Sequence, residues 1–221
     1  MNNPVKRTIA ADIVVLVDVS SSMARTVDAI RSAWVSFVGQ LLDPATTDGP
    51  RVDLRLKVVG YAVSEDGIQP VIQDNPFVQN DVAAFAAQFA KLKVMPTDQS
   101  PRPLLDALWQ TMSVGSMPRE QEVMTSAQWR DRNVARRIVA ILTDAPFREE
   151  VQIQKARGAI VEDVIRLVME NRITLDILAP EHECYYELGK ADRSKVSFGN
   201  VVELLEELNW QKSIMKEIVA H

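Results

Sequence analysis

The chain has 221 residues, of which 47% are hydrophobic and 25% are charged, and its formal net charge is −5. This composition supplies enough apolar material for one sizeable core, so a single domain is predicted. No apolar run approaches the roughly 20 residues that cross a bilayer, and the first residues lack the apolar centre of a secretion signal. We therefore expect a soluble protein.

The composition also excludes several classes of function. An acidic sequence with a pI near 5.2 disfavours a large phosphate-binding surface and hence nucleic acid as the main partner. Neither G-x-G-x-x-G nor the P-loop pattern is present, which argues against dinucleotide and nucleoside-triphosphate binding. Cys184 is the single cysteine, so no internal disulfide can form, and a reducing cytoplasm is the expected location.

The first half of the chain alternates strand and helix patterns. Residues 13–17 form a continuous β-branched run, typical of a strand buried on both faces, and residues 27–41 repeat apolar side chains at helical spacing. Residues 52–58 alternate apolar and charged side chains, which predicts a strand towards the sheet edge with one wetter face. A short antiparallel partner at 68–72 and a helix at 82–89 follow.

The second half repeats the alternation after a proline-rich loop at 92–103. A helix is predicted from Leu104 to about Met117, then an irregular, partly helical excursion over 118–135. Further predicted elements are a buried strand at 138–142, a long helix through 153–167, strands at 173–177 and 196–198, and a final helix over 201–218.

This order predicts a Rossmann-like three-layer α/β/α sandwich, with a mostly parallel central sheet and one antiparallel edge strand. Ligands of such sheets bind outside the carboxyl ends of the strands. Two predicted central strands end at an aspartate there, Asp18 and Asp144.

The segment from Asp18 to Ser22 places a carboxylate and two hydroxyls, those of Ser20 and Ser22, at alternate positions. Hard divalent cations prefer such oxygen ligands, and Mg²⁺ takes one or two carboxylates. The pattern, with Asp144, therefore predicts a metal site. The alternative is that Ser20, Ser21 and Ser22 only cap the following helix.

These residues resemble the metal-ion-dependent adhesion site of von Willebrand factor A domains, whose later aspartate is similar to Asp144 in Thr-Asp-Ala. The resemblance covers nearly the whole chain, including residues 104–108 as the start of the family's third helix. It implies one such domain over residues 1–221, with no catalytic activity. It also implies Mg²⁺, Mn²⁺ or Ca²⁺ as cofactor and a protein partner that offers an Asp or Glu carboxylate to the ion. Bacterial cytoplasmic relatives often act in multiprotein stress-response or defence systems.

One position departs from the family pattern. Where the family usually keeps a metal-binding threonine, this chain has Arg102 or a residue close to it. A guanidinium cannot coordinate a cation. Either Thr97 or Ser100 reaches the metal from the same loop, or Arg102 partly replaces the ion.

Three other functions compete with metal-dependent adhesion. A metal-assisted phosphohydrolase would use Asp18 as nucleophile and Asp144 as ligand, but Ser20 stands where its second acid is needed. A serine hydrolase would need His182 or the terminal His221 as base, and the chain has no G-x-S-x-G elbow. A purely structural domain would use Met124 and Trp129 for assembly, although core packing is the commoner fate of a tryptophan.

Overall fold

A computed structural model describes residues 8–43, 51–120 and 125–219. The strands are β1 (Thr8–Asp18), β2 (Arg51–Val63), β3 (Pro70–Asp74), β4 (Val78–Gln79), β5 (Ala135–Leu142), β6 (Ile173–Ala179) and β7 (Lys195–Phe198). The helices are α1 (Thr26–Leu42), α2 (Val82–Lys91), α3 (Leu104–Ser113), α4 (Val161–Glu170), α5 (Glu183–Leu188), α6 (Val201–Glu206) and α7 (Asn209–Val219). Met124 and His221 lie outside the described residues.

One sheet organises the molecule, with strand order β3-β2-β1-β5-β6-β7. The neighbours from β2 to β7 pair in parallel, whereas β3 and the two-residue β4 pair with β2 in the antiparallel sense. The predicted fold class is therefore confirmed. β1 and β5 lie side by side at the centre, so their carboxyl ends open at the same edge.

The core has two layers because the sheet is apolar on both faces. Ile13, Val15 and Val17 of β1 face one layer, and Val14 and Leu16 face the other. Buried residues of α1, α2, α6 and α7 complete the first layer, and those of α3, α4 and α5 complete the second. At about 25 cal/mol per Å² of apolar surface, this double burial is the main term that stabilises the fold.

Several predicted boundaries were wrong. The helix placed over 153–167 begins only at Val161, after a short 3-10 turn at Gln154–Ala156 and Gly158 at a φ of 85°. The final predicted helix is two helices separated at Glu207 and Leu208. α3 ends at Ser113, four residues early. In each case apolar spacing continued past a break in the helical backbone, which falls at Gly158 and Gly115 with positive φ and at the extended residue Glu207.

The excursion after α3 also differs from its prediction. Its described part forms no helix and packs over β2, which is an inner strand and not an edge. Arg55 of β2 is only 2% exposed, and its guanidinium carbon lies 4.6 Å from the centre of the Phe77 ring. Trp129 is fully buried, stacks edge-on against Phe77, and donates from Nε1 to the Thr111 carbonyl at 2.9 Å. Trp129 is therefore a core residue.

A buried ion pair fastens this excursion to the amino end of the sheet. Arg130 donates from Nε to Asp12 Oδ1 at 2.6 Å and from its backbone N–H to Oδ2 at 2.7 Å. It also donates from Nη1 to Asp53 Oδ2 at 2.7 Å. Asp12 is fully buried and Arg130 is 4% exposed, so water solvates neither charge and each depends on its protein partners.

Candidate functional site

The end of β1 positions the first acidic side chain of the site. Asp18 is the last residue of the strand and is fully buried. Its Oδ1 accepts the Ser20 backbone N–H at 2.9 Å, which turns the chain sharply away from the sheet. The Ser20 and Ser22 hydroxyls then lie 3.1 Å apart, next to the strand end that carries Asp18.

The end of β5 contributes the second part. Thr143 Oγ1 donates to Asp18 Oδ2 at 3.0 Å and joins the two central strands directly. Asp144 follows with its side chain one-third exposed. Tyr185 of α5 stabilises the turn that contains Asp144, because its buried hydroxyl donates to the Ala145 carbonyl at 2.6 Å.

Arg102 lies between these two strand ends. Its Nε donates to Asp18 Oδ2 at 2.9 Å, and its Nη2 donates to Ser22 Oγ at 3.1 Å. The same Nη2 lies 3.6 Å from Asp144 Oδ1 and 3.6 Å from Asp98 Oδ1. Nη1 also donates to the Gln99 carbonyl. The arginine side chain is only 3% exposed, so one guanidinium joins every predicted acidic ligand of the site.

The main chain also holds Arg102 in place. Its N–H donates to the Pro146 carbonyl at 2.8 Å, and its carbonyl accepts the Arg148 N–H at 2.8 Å. These two bonds pair the proline-rich loop with the loop that carries Asp144. The guanidinium is thus preorganised by backbone bonds on one side and by carboxylates on the other.

Burial is the largest influence on the pKa of Asp18. Desolvation raises the pKa of its carboxyl above the ordinary value, while attraction to Arg102 and the Ser20 N–H oppose that rise. Asp98 lies at the exposed rim, where the Ser22 backbone N–H lowers the pKa of its carboxyl. With all groups ionised, three carboxylates surround one guanidinium, and the rim is therefore negative.

The arrangement fits a guanidinium and not a divalent cation. Mg²⁺ needs its ligand oxygens at about 2.0–2.1 Å and octahedrally disposed. The space among Asp18, Ser22 and Asp144 is instead filled by a permanently charged group that would repel the ion. Of the two alternatives that the sequence left open, the replacement of the cation by Arg102 is the one that the geometry favours. Metal occupancy stays a prediction, and it would require Arg102 to leave.

The remaining predicted ligands, Thr97 and Ser100, have other surroundings in the structure. Thr97 Oγ1 accepts the Gln99 N–H at 3.4 Å, and the Thr97 carbonyl accepts the Ser21 N–H at 3.0 Å. Ser100 is exposed. In the described ranges, neither hydroxyl has a hydrogen bond to Asp18 or Asp144, and no three acidic, histidine or cysteine side chains form a metal cluster.

Two alternatives from the sequence find no support in these contacts. Ser20 precedes the 3-10 turn at Ser21–Arg25 but makes no side-chain capping bond, so helix capping does not explain the serines. The His182 ring lies against Cys184, with Nδ1 and Sγ 3.2 Å apart. No hydrogen bond among the described residues links His182 to Ser20 or Ser22.

Sequence reasoning missed Asp98 and the role of Thr143. Asp98 precedes Arg102 by four residues in a loop of no regular structure, so spacing gave no indication that the two side chains meet. From the sequence, Thr143 was recognised only as a member of the Thr-Asp-Ala turn after β5, and no role was predicted for its hydroxyl. Its hydroxyl points to Asp18 because β1 and β5 are adjacent, which is a property of the sheet.

The fold is that of von Willebrand factor A domains, according to comparison with solved structures. A von Willebrand factor type A structure from Catenulispora acidiphila superposes with a TM-score of 0.59 over 95% of this chain, at 16% identity. Proximal thread matrix protein 1 from the mussel byssus gives a TM-score of 0.56 over 96% of the chain, at 14% identity. The chain spans 43% and 47% of the lengths of these two proteins. No family model and no curated protein matches the sequence.

Proposed function

We propose that this chain is a protein-interaction module that binds its partner at the carboxyl edge of the sheet without a metal ion. The proposal rests on one observation: the Arg102 guanidinium contacts Asp18, Ser22, Asp98 and Asp144. The von Willebrand factor A fold, whose ligands are expected at this edge, is consistent with such a role.

The guanidinium supplies the positive charge that would otherwise come from an ion. It neutralises the buried Asp18 and holds three loops together, those after β1, before α3 and after β5. A metal-bound site would attract a partner carboxylate. Here Arg102 supplies one positive charge against the three carboxylates of Asp18, Asp98 and Asp144, so the exposed rim is negative. A basic side chain of the partner is the complementary group.

The metal-dependent form is the second candidate, and it is supported by the turn at Ser20, which brings the Ser20 and Ser22 hydroxyls within 3.1 Å of each other next to Asp18. It would bind a partner carboxylate through Mg²⁺ or a similar ion after Arg102 leaves. The enzyme alternatives have less support. Asp18 is fully buried and both of its carboxylate oxygens accept hydrogen bonds, so it is badly placed as a nucleophile.

Location and pathway are further proposals. Among the described residues, no helix has the length and apolarity needed to span a membrane. A bacterial cytoplasmic assembly, of the stress-response or defence kind, is the setting in which we would look for the partner first.

Affinity purification from the source cells tests the proposal, with each bait run in Mg²⁺ and in EDTA. We expect the same partner in both buffers and its loss with the rim variant Asp98→Lys, Asp144→Lys. The control bait is Asp28→Lys, which changes an exposed acid on α1. Capture that disappears in EDTA would support the metal-dependent candidate instead. A rim variant that captures the partner as well as the control would remove this edge from consideration.

Purified protein gives an independent check on the metal. Titration of the wild type with Mg²⁺ or Mn²⁺ should release no binding heat at millimolar concentrations, because Arg102 fills the site. Saturable heat that Asp18→Ala abolishes would contradict metal independence.

A further inference from the structure

A second candidate site lies at the opposite, amino edge of the sheet, where β5 and β6 begin. A cavity of about 430 Å³ opens there, and five arginines line it: Arg132, Arg136, Arg137, Arg172 and Arg193. An adjoining cavity of about 330 Å³ shares Arg132, Arg136 and Arg172 with the first. We call these five residues and the space between them the arginine pocket.

The charge of the arginine pocket opposes that of the whole chain. Asp192 and Glu217 also line the cavity, which leaves an excess of three positive charges. The chain as a whole carries −5. Such local concentration of one sign, inside a concave surface, raises the local concentration of anions. The two edges of the sheet therefore attract ligands of opposite charge.

Hydrogen bonds to neighbouring groups position three of the arginines. Arg137 is buried, and its guanidinium donates to the Arg130 and Asn171 carbonyls and to Ser116 Oγ. Arg132 Nη1 donates to the Glu170 carbonyl at 2.6 Å, and Arg172 Nη1 donates to Asn133 Oδ1 at 3.1 Å. A guanidinium has five N–H donors, so one such bond orients the group without using up its donors. A ligand that binds here loses less side-chain entropy than it would on unheld arginines.

The backbone at two of the arginines is strained. Arg172 has a φ of 53° and Arg193 a φ of 62°, and both therefore adopt the left-handed conformation that glycine or asparagine would take at lower energy. They are two of three non-glycine residues with positive φ in the described ranges. Strain of this kind clusters at binding and active sites. Here it coincides with a cavity and with excess charge.

We propose that the arginine pocket binds a phosphate group. A phosphate monoester carries a charge of about −1.5 to −2 and three acceptor oxygens, which matches the guanidinium forks of the three exposed arginines, Arg132, Arg172 and Arg193, better than a single carboxylate does. The group has two possible sources, a small soluble phosphate compound or a phosphorylated side chain of a partner protein. This site is separate from the edge that contains Arg102, so the inference does not depend on the proposed function.

Calorimetric titration at low ionic strength tests the assignment with two probes. One is inorganic pyrophosphate, and the other is a blocked five-residue peptide with a central phosphoserine among glycines. The key variant is Arg172→Gly with Arg193→Gly, which removes two charges at positions where glycine fits the backbone and should keep the protein folded. Arg31→Ala, at an exposed site on α1, is the matched control.

We expect saturable binding of at least one probe by the wild type and the control, and a dissociation constant raised at least about tenfold in the glycine variant. Arg132→Gln, which leaves the backbone unchanged, should weaken binding in the same direction. Tighter binding of the peptide identifies a partner protein as the source, and tighter binding of pyrophosphate identifies a small compound. The proposal is overturned if neither probe binds, if the glycine variant binds as well as Arg31→Ala, or if a glutamate peptide binds as tightly as the phosphoserine peptide.

Discussion

Replacing Arg102 by methionine should destabilise the fold by about 3–5 kcal/mol at neutral pH, the usual cost of removing one partner from a buried ion pair. Methionine keeps an unbranched apolar stem but removes the guanidinium, and so leaves Asp18 fully buried without its 2.9 Å cationic partner. The Ser20 N–H and the Thr143 hydroxyl remain, and they compensate only part of the charge. Because domains are stable by about 5–15 kcal/mol, the variant should still fold.

The loss should depend on pH with a definite sign. Burial already raises the pKa of Asp18, and removal of Arg102 takes away the attraction that opposes the rise. The folded variant therefore favours protonated Asp18, which costs nothing below the ordinary pKa of 3.8, and the cost grows as the pH rises from there until it is complete above the raised pKa. The difference in unfolding free energy between wild type and variant should shrink as the pH falls from neutrality towards the ordinary pKa of 3.8.

Urea denaturation followed by tryptophan fluorescence measures this difference. Arg31→Met is the control, since that side chain is 47% exposed and its ion pair with Asp28 should matter by less than about 0.5 kcal/mol. Adding Asp18→Asn to Arg102→Met removes the buried charge and should recover at least half of the loss. A cost below about 1 kcal/mol for Arg102→Met at pH 7 would refute the view that the guanidinium replaces an ion.

Three further outcomes are expected. Arg102→Thr should acquire a cation site, so that 10 mM Mg²⁺ stabilises it by about 1.4 kcal/mol if the dissociation constant is near 1 mM, while the wild type shows no shift in thermal melting. Arg130→Met should lose about 3 kcal/mol in urea denaturation, because buried Asp12 keeps only the more distant Arg55 guanidinium, 3.8 Å away, as its cationic partner, and a cost no larger than that of Arg31→Met would show that the Arg130 pair is dispensable. Trp129→Ala should lose about 3–5 kcal/mol, since a fully buried ring that stacks on Phe77 leaves a cavity, and calorimetric melting would detect it.

The order of strands and helices was readable because apolar periodicity is a local property of the chain. The β-branched runs at 13–17 and 138–142 indicated strands buried on both faces, and the double core confirms this. The charged face of β2 misled the same reasoning. The alternating pattern predicts that Arg55 and Lys57 lie on the same face of β2. It does not reveal that Phe77 and the segment after α3 pack on that face and bury it.

For the site, the sequence by itself determined which acids stand at the carboxyl ends of the two central strands, because strand-end positions follow from local pattern and parallel topology. It also marked Arg102 as the residue that departs from the expected ligand set. Only the tertiary structure decided that the guanidinium lies between Asp18 and Asp144, and that arginines from three stretches of the chain line one cavity at the other edge. The physical reason is that these side chains contact residues far away in the sequence, as Arg102 contacts Asp18 84 residues before it, and local periodicity carries no information on such contacts.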